Sequence, residues 1–108
     1  MKFVRTTAAC FLVLFALTAA LAGKGNEMKG RMEFMQTCKA CHTKGANGGQ
    51  VTPLNKTMDQ WRKYFASGRH NHGQEPLTKV MSAEQLADVE TFLVGHAADS
   101  PQPETCGR

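Results

Sequence analysis

The sequence predicts an all-α domain, and three observations lead there. Apolar residues recur at helical spacing in three separate stretches. Two of those stretches open on a capping box, and one closes on a glycine. No stretch alternates apolar and polar residues as a half-buried strand does. At 108 residues the chain holds a single small domain, which excludes multidomain enzyme machinery.

The N-terminal segment stands apart from that domain. Lys2 and Arg5 precede an almost unbroken apolar run, Thr6–Leu21, closed by Ala20-Leu21-Ala22. Small residues flanking one position are what a signal peptidase cuts, and the run is shorter than the roughly 20 apolar residues of a membrane span. Residues 1–22 are therefore expected to be a cleaved secretory signal, with an uncleaved anchor as the alternative. Cys10 lies inside the run with no lipobox-like leucine before it. Removing 1–22 leaves 86 residues. A domain of that size buries little more than half of its unfolded surface and usually needs a staple.

Asn26 is a candidate N-cap for a first helix over Glu27–Thr37, in which Met28, Met32 and Met35 recur at helical spacing. A loop follows over Thr43–Lys56, with Gly45, Gly48, Gly49 and Pro53. Thr57-Met58-Asp59-Gln60 reads as a capping box. The helix it opens carries Met58, Trp61 and Phe65 on one face and stops near Gly68. Arg69–Thr78 reads as a polar loop. Ser82-Ala83-Glu84-Gln85 is a second capping box, with Met81 and Leu86 placed as its hydrophobic staple. The last helix should bury Leu86, Val89, Phe92 and Leu93 and fade before Pro101. His96, near its end, complements the helix dipole. The domain thus covers 23–100, followed by an extended tail, 101–108.

The chemistry sits in Cys38-Lys39-Ala40-Cys41-His42. A Cys-x-x-Cys-His run is the attachment signature of c-type haem. Two thiols three positions apart add to the two vinyl groups on one porphyrin edge, and the adjacent imidazole ligates the iron. The expected cofactor is one covalently bound haem c, which also supplies the missing staple. Such attachment takes place outside the cytoplasm, in agreement with the export signal. The competing readings are weaker. A structural zinc site wants two further ligands at matched spacing, and no second Cys-x-x-Cys exists. A thioredoxin-like pair wants a strand before the motif, and a Cys38–Cys41 disulfide would close a very short loop.

These residues resemble the class I (monohaem) c-type cytochromes, over most of the chain from Gly30 to about Phe92. Gly30, Phe34 and Cys38 match that family's Gly-x3-Phe-x3-Cys lead into the haem motif. The resemblance implies that Gly30 lets the first and last helices cross closely, with Phe92 as the aromatic at the crossing. It also implies that the Pro53 carbonyl accepts the Nδ1–H of His42, and that Trp61 donates to a haem propionate. The implied fold is a small cytochrome c-like helical domain wrapped around its haem.

The chain departs from the family at the sixth ligand, which is usually a methionine in a Met-Pro loop before the last helix. There is no Met-Pro here. The loop Gly68–Gly73 instead offers His70 and His72. His70 is the expected distal ligand, ahead of His72, then Met81 or Met58, with an open sixth position as the remaining alternative.

Charge divides the chain after the signal. Gly23–His72 hold Lys24, Lys29, Arg31, Lys39, Lys44, Lys56, Arg62, Lys63 and Arg69 against Glu27, Glu33 and Asp59. Gly73–Arg108 hold Lys79 and Arg108 against six acids. A net charge this small is no argument for nucleic acid, and none is expected as a partner, but the dipole suits docking to redox proteins with acidic surfaces. No nucleophile–base constellation argues for enzyme chemistry. The expected protein is a periplasmic or otherwise exported one-electron carrier with bis-histidine ligation. The alternative is a haem protein whose open or displaceable distal site takes NO, CO or peroxide. Membrane association stays open at this point. Cys106 is an odd thiol, suited to intermolecular pairing or to no role at all.

Overall fold

The computed structural model describes residues 25–105. The expected signal at 1–22, Cys10 within it, and Cys106 in the tail lie outside the described residues. The described chain is mostly helical. Helix α1 spans Glu27–Glu33 and runs on into a π-helical turn, Phe34–Cys38; α2 spans Met58–Ser67 and α3 spans Ala83–Gly95. Single 3-10 turns lie at Pro53–Asn55 and Leu77–Lys79. No helix among the described residues is long and apolar enough to cross a membrane.

Each helix starts where a side chain satisfies its free backbone amides. Asn26 accepts from the Lys29 amide. Thr57 with Gln60, and Ser82 with Gln85, form the two reciprocal capping boxes that their sequences announce. Gly68 ends α2 in the left-handed conformation, φ 66°. The first helix departs from expectation in its last turn. The Lys39 amide reaches back five residues to the Phe34 carbonyl at 2.9 Å, so the helix widens after Glu33 and carries on to Cys38. Such π-turns occur frequently at functional sites.

The core forms where α1 crosses α3. A Cβ on Gly30 would stand 1.9 Å from the Asp88 carbonyl oxygen and 3.0 Å from the Phe92 Cβ, so only glycine permits this approach. Phe34 and Phe92 meet beside it with ring centroids 5.6 Å apart, 2% and 1% exposed. Full burial of an aromatic of this size is worth about 1.5–3 kcal/mol. Trp61 from α2, Met81 from the α3 approach, and Val89, Leu93 and Ala97 complete the cluster, with Leu86 packed against it. The methionines of α1 face outward: Met28 is 75% exposed, and Met32 and Met35 are at least half exposed. Their spacing marks a helix, but the inward face of α1 is Gly30 and Phe34.

Both ends of the described chain are tied to α3. The Gly25 amide donates to Thr91 Oγ1 at 3.0 Å, and the Asn26 amide donates to Asp88 Oδ1 at 2.7 Å, which accounts for the burial of Asp88. His96 joins three segments: Nδ1 donates to the Gln102 carbonyl at 2.9 Å and Nε2 meets the Glu27 carboxylate. The Glu104 amide donates to the His96 carbonyl, and its carboxylate pairs with Arg31 at 3.1 Å. Up to Glu104 the expected extended tail lies back against the helices.

One segment corrects the sequence reading. Residues 69–76 are not a plain loop but a hairpin, with strands β1 (Arg69–His70) and β2 (Glu75–Pro76) paired antiparallel. Asn71, His72 and Gly73 turn it with successive positive φ of 55°, 57° and 80°. Asn and His are among the few non-glycine residues enriched in that region. Two-residue strands are too short for any alternation to register in the sequence.

Candidate functional site

The π-helical turn delivers the Cys-x-x-Cys-His segment to the end of the core. The Cys38 carbonyl accepts from the Cys41 amide at 3.2 Å and the His42 amide at 2.9 Å, which coils the pentapeptide into one tight turn. Both thiols are free. Cys38 packs against the core cluster while Cys41 is exposed. Burial, with the Glu33 carboxylate adding to it, pushes the Cys38 thiol up to about 11. Burial and the charge on Cys38 likewise raise the Tyr64 hydroxyl.

The glycine-rich loop folds back over this turn. The Gly48 amide donates to the Cys41 carbonyl at 2.8 Å, the Val51 amide to the His42 carbonyl at 3.1 Å, and Lys39 Nζ to the Val51 carbonyl at 2.8 Å. His42 Nδ1 lies 3.0 Å from the Gly48 carbonyl oxygen and 3.3 Å from that of Gly49. A carbonyl can only accept, so Nδ1 carries the proton and Nε2 presents its lone pair. A Cβ on Gly48 would sit 2.6 Å from the imidazole and 2.7 Å from the Cys41 carbonyl. Glycine is what lets the loop lie against the ring.

The second imidazole comes from the hairpin. Register sets His70 opposite Glu75, and Nδ1 donates to Glu75 Oε1 at 2.9 Å. The hydrogen bond from His70 holds the Glu75 carboxyl below its ordinary range against an opposing burial effect, with help from Lys79, whose Nζ lies 3.7 Å from Oε2. The His42 and His70 rings then lie side by side in an edge arrangement, with centroids 6.0 Å apart and planes at 80°. Neither Nε2 has a hydrogen-bond partner among the described residues. His72 stands exposed on the turn of the hairpin. Met81 is buried in the core, as its role in the α3 staple requires, and Met58 is half-buried against it.

Two residues take other partners than the resemblance implies. The Trp61 indole donates to the Pro53 carbonyl at 2.8 Å, both groups buried. That bond fastens the loop to α2. The reason lies in the loop: Gly48 and Gly49 bring their carbonyls to His42, and the core brings the indole to Pro53. Gly48 and Glu75 are the site residues that sequence reasoning missed. The Gly48-Gly49 pair was a visible signal, whereas nothing in the sequence pairs position 75 with position 70.

Whether these residues fit the haem implied by their sequence can be tested on this geometry. Metal–imidazole bonds run about 2.0–2.1 Å. Ring centroids 6.0 Å apart are on the scale that two such bonds to one metal require. Each ring has its second nitrogen fixed by an outer acceptor, as metal-ligating histidines do. Two free thiols lie on the adjacent turn. The donor set fits. No group of three or more His, Cys, Asp or Glu converges on a bare ion among the described residues.

Comparison with family models, with curated proteins and with solved structures finds no match. The site is therefore read from its own residues.

Proposed function

We propose that this chain is an exported monohaem c-type cytochrome, a one-electron carrier whose haem c is held by Cys38, Cys41, His42 and His70. The observation that carries the proposal is the neighbouring pair His42 and His70, each with Nδ1 tied and Nε2 without a partner among the described residues, beside two free thiols on one turn. The Cys38 and Cys41 thiols would hold the haem through thioethers, each S–H adding across one vinyl group with no atom lost and no oxidant or reductant needed. His42 and His70 would supply the nitrogens that hold the iron. When bound, the haem supplies a one-electron iron couple. Gly48 and Glu75 fix the two imidazole tautomers, and the hairpin and glycine loop hold the rings in register.

The pairing of two imidazoles favours a carrier over a small-ligand site, because no position is left for NO, CO or peroxide. Two nitrogen ligands in place of a thioether also place the midpoint below that of His/Met members. Lys39 and Lys44 beside the attachment turn suit acidic redox partners, so transfer rates should fall as ionic strength rises.

A haem-stained denaturing gel tests the attachment. Colour should stay with the chain expressed alongside a haem-attachment system, and the Cys38→Ala, Cys41→Ala double variant should lose it. A colourless wild-type band would refute the proposal. The oxidised spectrum tests the ligands: low-spin iron with no methionine–iron band at the red end is expected.

A further inference from the structure

We propose that Glu75 is a positioning residue that sets the electron affinity of the site through His70, an inference that rests on His70 being an axial ligand. Its carboxylate accepts the Nδ1 proton at 2.9 Å. The contact is built into the backbone. The β1–β2 register sets Glu75 directly across from His70, and the Leu77 amide closes the base of the hairpin on the Gly68 carbonyl at 2.8 Å. Three successive positive φ values, two of them on non-glycine residues, make the turn that this register needs.

The two imidazoles are held by acceptors of different charge. His42 donates to a neutral carbonyl, that of Gly48, whereas His70 donates to an anion. A carboxylate draws the Nδ1 proton outward and makes Nε2 a stronger donor. A stronger donor favours the oxidised metal, so Glu75 lowers the midpoint from the His70 side. Lys79, 3.7 Å from the other carboxylate oxygen and largely exposed, offsets only part of that charge. Orientation and charge are separable in this arrangement. A glutamine keeps an acceptor oxygen for Nδ1–H and removes the charge alone.

The test uses the haem-loaded protein, its Glu75→Gln and Glu75→Asp variants, a potentiometric titration, and electron paramagnetic resonance of the oxidised form. Glu75→Gln should keep the low-spin bis-imidazole spectrum while its midpoint rises. A tenfold shift towards the reduced form at fixed potential is expected, about 59 mV for one electron. The g-value spread should change with it, and Glu75→Asp should restore both. If the wild type is low-spin bis-imidazole and Glu75→Gln leaves midpoint and g-values unchanged, the proposal is overturned while the ligand assignment stands. If both variants lose the low-spin spectrum, the carboxylate only folds the hairpin, and the proposal fails. Wild-type haem with a methionine–iron band or high-spin iron would refute the ligand assignment and Glu75 with it.

Discussion

The α1–α3 crossing and the face that carries the thiols and imidazoles are built on opposite terms. At the crossing, Gly30, Phe34, Val89 and Phe92 are buried, and the helix backbones nearly touch. At the other face the side chains sit on a π-turn, a glycine loop and a four-residue hairpin ladder, with Cys41 and His72 exposed. Packing fixes the first region, and hydrogen bonds to single acceptors fix the second. The stability of the fold therefore resides in the crossing. The site adds aim rather than cohesion.

That contrast can be broken by mutation. Phe92→Ala should cost about 3–5 kcal/mol, the range for emptying an aromatic from a closed core. Urea unfolding would read it, and a loss under 1 kcal/mol would mean that the crossing does not carry the fold. Gly30→Ala comes next, at about 3 kcal/mol, because its Cβ meets backbone that cannot move aside. An unchanged unfolding midpoint would show that the helices can separate without penalty.

Thiol chemistry sharpens the comparison within the site itself. In the haem-free chain at pH 8, the thiolate population on Cys38 should lie about a hundredfold below that of an ordinary thiol. Alkylation followed by peptide mass mapping should therefore label exposed Cys41 first. Equal rates would place Cys38 outside the core. The sign of the pH effect follows from the raised folded value. Stability from this thiol is complete below its unfolded pKa and is lost as pH climbs through about 11. The smallest effect belongs to His72→Ala, within about 0.5 kcal/mol of wild type as for other exposed sites and with no spectral change. If haem is loaded as proposed, a switch to high-spin iron in this variant would assign the distal ligand to His72 instead of His70.

The same division governs how much could be read from the sequence. Both capping boxes and the Gly68 stop were legible because each uses contacts within four residues. Gly30 and Phe92 were legible through resemblance, and the crossing they form is present. The π-turn was not, since nothing in Phe34–Cys38 distinguishes a five-residue from a four-residue backbone step. The outward face of Met28, Met32 and Met35 was missed because periodicity shows a stripe without saying which way it points. In the candidate site, the Cys38–His42 turn and His70 were named from the sequence, and the structure brings them together. Their outer partners were not. Gly48 had been assigned only to a loop, and Glu75 reaches His70 through a hairpin whose strands are two residues long.

The tie between the start of the chain and α3 has a consequence for timing. Gly25 and Asn26 bond to side chains 66 and 62 positions later. A polypeptide delivered N-terminus first thus presents α1 with nothing to lean on until the last helix has followed it out. During that interval Phe34 and Cys38 lack the surface that will cover them, and the Cys38 thiol is free of the burial that later suppresses its ionisation. A thiol reagent would find Cys38 most reactive while the chain is still incomplete. Arrival of α3 ends that window.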